Sequence, residues 1–362
     1  MNEDRSSRYH RLKRQAGIAS VVWSLMLLAG LLWTGASIVL RNLAGESAFA
    51  IVFYVGLLLV LNELGSLPLA FYSGFLLERR YGLSQEPLGR WLVDQLKSFA
   101  IGLVLSSIAA AIIYSLIGLS PDGWWLPAGA VFAALIVGLT NLAPVLLLPL
   151  FYRVKPLDRE ALRARLLSLA DRAGARVLGA YEWGLSEKTR KANAALAGIG
   201  ATRRILVSDT MLAEYSDEEI EVVLAHELAH HVHGDIWKGI IFESVLILAG
   251  FYLASRALAS LAPTFGLRGV SDIAGLPLLV LVAGGVSFVM LPVAHAMSRA
   301  FERSADRFAL TLTHNPAAFI SAMRRLAAQN LAEEHPSKVV QWLFYSHPPV
   351  RERIAAAQAF KA

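Results

Sequence analysis

The ten residues HELAHHVHGD, from His226 to Asp235, decide how the rest of this chain is interpreted. They contain the pattern H-E-x-x-H, formed by His226, Glu227 and His230. On a helix, residues four apart lie on one face, so both imidazoles can reach a single metal ion. Neutral imidazoles suit zinc, and a neighbouring carboxylate can take a proton from a water molecule that zinc has made more acidic. The stretch therefore predicts a zinc site with His226 and His230 as ligands and Glu227 as a base.

A catalytic zinc site usually has a third protein ligand. In the pattern H-E-x-x-H-x-x-G-x-x-H that ligand is a histidine, but this chain has His233 and Ile236 where the glycine and histidine would be. In a second pattern, a glutamate comes from another helix. The segment FERSADRF offers Glu302 for that role, and Asp306, one turn later, can accept a hydrogen bond from the other nitrogen of a ligand histidine. We expect His231 and His233, which lie off the ligand face, to be structural or solvated.

The chain around this motif is strongly apolar. Of its 362 residues 56% are hydrophobic and 17% are charged, and the mean hydropathy is +0.50. Crossing a bilayer core takes about 20 helical residues. Six apolar runs are long enough, at residues 18–40, 48–71, 98–119, 124–151, 236–261 and 276–296. The first is too long for a signal peptide, and we expect it to be an uncleaved anchor. The fold class is therefore predicted to be a mainly α, polytopic membrane protein with about six transmembrane helices.

Basic residues predict which ends of these helices face the cytoplasm. The N-terminal RSSRYHRLKR and the loop ERRYGLSQEPLGRWLVDQLK are rich in Lys and Arg, whereas the loop SPDG has neither. We therefore expect the N-terminus, residues 152–235 and the C-terminal tail on the cytoplasmic side. Two apolar runs separate His230 from Glu302, and two crossings return the chain to the side it left. Both residues can thus belong to one site.

The segments outside the apolar runs carry the signals of a mixed α/β domain. DREALRARLLSLADRAGA has helical spacing and ends at Gly174, RVLGAYEW favours a strand, and NAALAGIGATRRILVSD favours two short strands with a glycine-containing turn. Ser216 and Glu219 form a capping box before the H-E-x-x-H pattern. We expect a membrane domain with four spans at 1–151, the first part of a catalytic domain at 152–235, two spans at 236–298, and the second part of the catalytic domain at 299–362.

The composition of the chain limits the classes of partner that it is expected to bind. The chain has no cysteine, which excludes disulfides and zinc sites built from cysteine. Its net charge of +6 comes largely from Lys and Arg that flank the apolar runs, which is typical of membrane topology, and it has no nucleic-acid-binding motif. We therefore expect a peptide or protein substrate and the lipid bilayer as partners, and no nucleic acid.

Four motifs occur in one order along the chain: NAALAG, SDEEIEVVLAHELAH, FERSADRFA and SHPPVRERI. With these motifs, and with FLLERRYGLS…LGRWLVDQLK upstream, the chain resembles the integral-membrane zinc metalloproteases typified by the type I CAAX prenyl protease. The resemblance covers nearly the whole chain. It implies a gluzincin-like zinc protease domain, one Zn2+ per chain, and a membrane-associated or CAAX-like substrate. The tail QAFKA carries no endoplasmic-reticulum retrieval signal, which favours a prokaryotic homologue in the inner membrane.

The resemblance also implies roles for individual residues. It gives the two histidines, Glu302 and Glu227 the same ligand and base roles as the pattern does. Asn193 and Ala195 would bind the substrate backbone, as an exposed strand edge can do with an extended peptide. His347 and Arg353, in the motif H-P-P-x-x-x-R, would stabilise the tetrahedral intermediate of peptide hydrolysis.

The most specific function predicted from the sequence is thus a membrane-embedded zinc-dependent endopeptidase. Two alternatives remain open. A broad quality-control protease of the HtpX type shares the catalytic motifs, although such proteins are shorter and lack this N-terminal region. A catalytically silent membrane scaffold is the second alternative, and the intact set of ligands, base and tail motif argues against it.

Overall fold

The N-terminal part of the chain is a group of helices. A computed structural model describes residues 4–47, 49–198 and 203–361. The helices of its first part are α1 (Arg5–Trp33), α2 (Ala36–Ala44), α3 (Ala50–Ala70), α4 (Leu77–Arg80), α5 (Leu88–Leu119), α6 (Trp125–Leu146) and α7 (Leu148–Phe151). A π-helical stretch, Phe71–Leu76, joins α3 to α4 and makes one continuous rod of them.

A small four-stranded sheet follows. The elements of this part are β1 (Val154–Pro156), α8 (Glu160–Arg172), β2 (Ala180–Trp183), β3 (Ala194–Ala197), β4 (Arg204–Ser208), α9 (Asp209–Glu214) and α10 (Asp217–Val232). The strand order is β1-β2-β4-β3, with β2 and β4 parallel and the other two pairs antiparallel. The two strands expected in 193–209 are therefore present, and part of the turn between them, at 199–202, lies outside the described residues. Strand β3 forms an outer edge of the described sheet.

Two long helices and three short ones complete the chain. They are α11 (Asp235–Leu261), α12 (Leu276–Thr313), α13 (Pro316–Gln329), α14 (Lys338–Phe344) and α15 (Val350–Gln358). Helix α11 packs against α6 and α12, and the far half of α12 packs against α10. Because α12 continues without a break from the apolar part into the sheet-containing part, it joins the two halves of the molecule.

Each of the six apolar runs falls mainly on one long helix. Within the described residues, five helices are long and apolar enough to cross a membrane: Arg5–Trp33, Ala50–Arg80, Leu88–Leu119, Asp235–Leu261 and Ile273–Thr313. The remaining run falls on α6, whose apolar stretch Trp125–Thr140 is shorter. Large apolar side chains such as Leu64, Leu96, Ile241 and Phe288 lie exposed on these helices, as contact with lipid requires. The prediction of a mainly α, polytopic membrane protein is confirmed.

The helix boundaries differ from the apolar runs for local reasons. The run 18–40 is broken at Gly35, whose φ of 72° is a left-handed conformation that a glycine adopts without a Cβ clash. Helix α5 begins at Leu88, well before the apolar run at 98, and α12 continues well past residue 296. Both helices thus continue in polar turns beyond their apolar runs, which hydropathy alone does not show.

The sheet-containing part has its own apolar core. The spacing of Leu162, Leu166 and Leu169 puts one face of α8 against the sheet, and all three side chains are fully buried. The helix ends at Arg172, and Gly174 follows it with a φ of 71°. The capping box at the start of α10 is also confirmed, because the Ser216 side chain accepts from the Glu219 backbone and the Glu219 carboxylate accepts from the Ser216 backbone.

A buried ionic cluster joins the membrane helices to the chain segment that leads into β3. Glu78, only 8% exposed, accepts hydrogen bonds from Tyr9 (2.5 Å) and Lys13 (2.5 Å) of α1. Lys191 lies 3.0 Å from the other oxygen of the same carboxylate. Since a buried carboxylate is stable only when it is paired and hydrogen-bonded, these contacts fix the position of the sheet relative to α1 and α4.

Gly250 should be essential to the packing of α11 on α12. A Cβ at this position would lie 3.3 Å from the Cα and 3.5 Å from the carbonyl oxygen of Ala283, so backbone would have to move. We expect Gly250→Leu to destabilise the protein by about 1–3 kcal/mol, the usual cost of overpacking. Thermal unfolding in detergent measures this. Gly239→Leu on the same helix, where a Cβ meets nothing within 4 Å, is the matched control. Equal unfolding midpoints for the two variants would contradict this account.

Candidate metal centre

Helix α10 presents two histidines to one point. His226 and His230 lie one turn apart, and their ring centroids are 5.0 Å from each other. His226 is only 6% exposed, because the remainder of α10 is packed between the sheet and α12. The capping box holds the first turn, and the apolar face of the helix fixes its rotation. The two imidazole rings are therefore held in a defined orientation before any ligand binds.

Helix α12 brings a carboxylate to the same point. The Oε2 atom of Glu302 lies 3.2 Å from Nε2 of His226, and its Oε1 atom lies 3.3 Å from Nε2 of His230. One ligand atom from each of the three residues falls within 4.8 Å of the other two. Two imidazole nitrogens and a carboxylate oxygen are the donor set of many divalent metal sites.

The charge balance of this cluster also fits a cation. Oε2 of Glu302 is buried and makes no well-aligned hydrogen bond, so its position is not explained by protein partners alone. Burial would lower the pKa of His226, but the adjacent carboxylates of Asp306 and Glu302 outweigh burial and raise that pKa to about 9. In the metal-free site this imidazole therefore carries a proton at neutral pH. A metal ion takes the place of that proton, so metal binding releases it and strengthens as pH rises toward 9.

Asp306 and Arg353 support His226 from the side away from Glu302. Oδ1 of Asp306 lies 2.9 Å from Nδ1 of His226, where the sequence analysis expects a carboxylate. Arg353 donates two hydrogen bonds to Asp306, from Nε to Oδ2 (2.9 Å) and from a terminal nitrogen to Oδ1 (2.6 Å). That terminal nitrogen is 3.9 Å from Glu302. The same nitrogen lies 3.3 Å from Nδ1 of His226, so the guanidinium contacts both Asp306 and that imidazole.

His347 and Glu227 face the cluster from the cleft. Nε2 of His347 lies 3.3 Å from Oε1 of Glu302, and its Nδ1 lies 2.9 Å from the Ser346 hydroxyl. The His347 side chain is 61% exposed, so it is accessible to a bound molecule. Glu227 is half-buried, and burial raises the pKa of its carboxyl. A raised pKa brings a carboxylate closer to the range in which it can take and return a proton near neutral pH.

Two contacts of the motif are not predicted by the sequence analysis. Asp235 is the first residue of α11, and its Oδ2 atom also lies 3.1 Å from Nδ1 of His230. His231, expected to be structural or solvated, has its Nε2 atom 3.1 Å from the carbonyl oxygen of Leu196 and so ties α10 to β3. The signal for Asp235 was a carboxylate directly after Gly234, where the chain turns back.

A cleft of about 470 Å3 contains the cluster. Its lining includes His226, Glu227, Glu302, His347 and Arg353, and the edge strand contributes Asn193 and Ala194. Four apolar side chains, Met211, Val223, Met323 and Leu326, form another part of the lining. The cleft therefore offers polar chemistry at one point and apolar surface beside it.

The register of β3 decides which main-chain groups face this cleft. The Ser208 N–H donates to the Asn193 carbonyl oxygen (2.9 Å), which makes these residues a hydrogen-bonded pair of the β3–β4 ladder. In an antiparallel ladder such pairs alternate, so the main chain of Ala195 also faces β4. Ala194 and Leu196 direct their N–H and C=O groups to the open edge. The main chain of Ala195 is thus engaged within the sheet.

The fold and the site define a polytopic membrane metallopeptidase. A family model described as peptidase family M48 matches residues 156–361, and one described as CAAX prenyl protease N-terminal, five membrane helices, matches residues 2–153. The chain belongs to peptidase family M48. The membrane helices within 4–153 that we count as spans are four, α1, α3, α5 and α6, where the family description gives five.

Named relatives agree with this assignment. A Bacillus subtilis protein named uncharacterized metalloprotease YhfN is 33% identical over 311 residues, which cover 85% of this chain and 73% of that protein. CAAX prenyl protease 1 of Saccharomyces cerevisiae is 26% identical over 322 residues, 84% of this chain and 71% of that protein. The crystal structure of S. mikatae Ste24p has the same fold, with a TM-score of 0.86, 23% identity, and coverage of 97% of this chain and 87% of that one.

The predicted function class is therefore confirmed. The protein is a membrane-embedded metalloprotease, and a metal belongs to its activity. The match over residues 2–153 covers the N-terminal region that distinguishes the chain from proteases of the HtpX type. No observation favours that alternative or the silent scaffold.

Removing the Arg353 guanidinium should weaken metal binding. Arg353→Gln leaves the buried Asp306 carboxylate without its double hydrogen bond, so His226 loses its fixed orientation. Partners of this kind typically account for 10- to 100-fold in metal affinity. Titrating the purified variant with a chelator measures the effect. Arg303→Gln, which removes an exposed arginine of α12, the helix that carries Asp306, is the control. If metal affinity is unchanged while turnover falls about a hundredfold, Arg353 acts on the reaction intermediate instead.

Proposed function

We propose that this protein is a zinc-dependent endopeptidase in which His226, His230 and Glu302 hold the metal and Glu227 is the general base. The convergence of the three ligand atoms within 4.8 Å is the observation that carries this proposal. Two histidines and one carboxylate also suit iron. The H-E-x-x-H arrangement and the peptidase family favour zinc, because Glu227 then has a proton-transfer role that a hydrolase requires.

The reaction proposed is hydrolysis of a peptide bond. When bound, a zinc ion lowers the pKa of water to about 7 and polarises a carbonyl group. Glu227 takes the proton of the attacking water and delivers it to the leaving amine nitrogen. His347 donates a hydrogen bond from Nε2 to the carbonyl oxygen as that oxygen gains negative charge. Its place beside Glu302, with its side chain open to the cleft, supports this role. Arg353 acts on His226 through Asp306.

We propose that β3 binds the substrate as an added strand. An extended peptide along the open edge would exchange main-chain hydrogen bonds with Ala194 and with the N–H of Leu196, whose carbonyl oxygen already contacts His231. Asn193 and Ala195 contribute side chains, since both point away from the core that buries Ala194 and Leu196. His231 holds the Leu196 carbonyl and thereby keeps the edge at a fixed distance from α10.

The substrate proposed is a membrane-associated or CAAX-like peptide, with lipidation left open. The names of the relatives support this class, and so do the apolar side chains that line part of the cleft. The membrane helices would keep the cleft close to the bilayer surface. We further propose that the protein lies in the inner membrane of a prokaryotic cell, with the N-terminus, the active site and the C-terminus in the cytoplasm.

Glu227→Gln should separate metal binding from catalysis. The change removes a base but no ligand, so the variant keeps about one zinc per chain and loses peptidase activity. His226→Ala, His230→Ala and Glu302→Ala should each lose the metal as well. Elemental analysis and a fluorogenic peptide assay on the same purified samples measure both properties. Full activity in Glu227→Gln would disprove the mechanism, and full zinc content in the three alanine variants would disprove the ligand set.

Labelling of single cysteines should establish the topology, because the native chain has none. Arg79, Asp122 and Asp171 are exposed and suit replacement by cysteine, whereas Asp235, also expected on the cytoplasmic side, is buried. A membrane-impermeant maleimide should label Asp122→Cys in intact cells, and Arg79→Cys and Asp171→Cys only after lysis. The reason is the excess of Lys and Arg around Arg79 and its absence around Asp122. The reverse labelling pattern would place the active site outside the cytoplasm.

A further inference from the structure

The turn between α10 and α11 brings a second carboxylate against the metal-binding helix. Helix α10 ends at Val232, and Gly234 follows with a φ of 68°. This left-handed conformation reverses the direction of the chain, and a residue with a Cβ would adopt it only with strain. As a result, the side chain of Asp235 points back along α10 instead of away from it.

Asp235 is buried and makes two polar contacts there. Its Oδ2 atom lies 3.1 Å from Nδ1 of His230, and its Oδ1 atom lies 2.9 Å from Nζ of Lys238. The residue is only 6% exposed. Lys238 also lies over the ring of Phe301, 5.1 Å from its centroid, and Phe301 immediately precedes Glu302. The contacts of Asp235 thus reach both helices that supply the cluster.

We propose that Asp235 is a positioning residue for His230. By accepting a hydrogen bond from Nδ1–H, it fixes the tautomer in which the lone pair of Nε2 is free, and it directs that nitrogen at Glu302 and the metal. The pair His230–Asp235 then matches the pair His226–Asp306 on the neighbouring imidazole. Each imidazole is held by its own carboxylate, and each carboxylate has its own cation, Lys238 or Arg353.

A simpler role for Asp235 would be to stabilise the start of α11, since acids in the first turn of a helix interact favourably with its dipole. That role needs neither burial nor a contact with His230. An acid at a helix start is usually exposed to solvent, whereas this carboxylate is enclosed between His230 and Lys238. The burial and the direction of the side chain therefore point to the imidazole.

The test uses Asp235→Asn in the full-length protein, with Asp217→Asn as the control. Asp217 is likewise the first residue of a helix, α10, but pairs with Arg159 away from the cluster. Zinc affinity is measured by competition with a chelator, and the stability of the metal-free protein by thermal unfolding. We expect the zinc Kd to rise 10- to 100-fold in Asp235→Asn and to stay unchanged in Asp217→Asn, with similar unfolding midpoints for the two.

A second readout covers the case in which Asp235→Asn folds poorly. Lys238→Ala leaves Asp235 in place but removes its cation, and it should raise the zinc Kd by less than Asp235→Asn does. The visible spectrum of cobalt-loaded protein reports the geometry of the ligands directly, and it should change in Asp235→Asn alone. An unchanged Kd and an unchanged cobalt spectrum would overturn the proposal. The proposal rests on His230 being a ligand, and failure of that assumption is distinguishable because His230→Ala would then keep its zinc.

Discussion

The contact between Glu302 and the two imidazoles of α10 is the interaction on which the rest of the site depends. Glu302 reaches them because α12 is one helix of 38 residues, Leu276 to Thr313, that crosses the apolar region and continues beside α10. The position of the carboxylate is therefore set by the rotation and depth of a membrane helix. The packing of α12 on α11, and the small side chains that allow it, decide the geometry of a polar site some distance away.

This arrangement places several carboxylates close together, and their negative charges must be offset by nearby cations or protons. Glu302, Asp306 and Asp235 are all buried beside His226 and His230. Arg353 and Lys238 offset two of the charges, and a proton on His226 offsets part of the rest when no metal is bound. A buried carboxylate without a partner is costly, so the cluster is stable only as a set. A bound metal ion would offset the negative charge that remains on the side of the cluster facing the cleft.

Sequence patterns predict those features that repeat with a regular period. Helical spacing predicts that His226 and His230 share a face, and hydropathy predicts the membrane helices. The two crossings between His230 and Glu302 predict that both residues lie on the same side. The remaining features depend on a turn or a register. A single left-handed glycine turns Asp235 toward His230, and the pairing of Ser208 with Asn193 decides that Ala194, and not Ala195, faces the open edge. Neither has a periodic signature in the sequence, because each is set by one residue's backbone conformation or one strand's alignment.

The position of α11 and of the apolar part of α12 between the two histidines and Glu302 has a consequence for biogenesis. A chain emerging from the ribosome carries both imidazoles before either of these helices has entered the bilayer. Glu302 joins them only after the second crossing, and Arg353 follows only when the tail has been made. An incompletely inserted chain therefore lacks one of the three side chains that converge in the folded protein. Completion of the three-residue cluster is thereby tied to the insertion of α11 and α12.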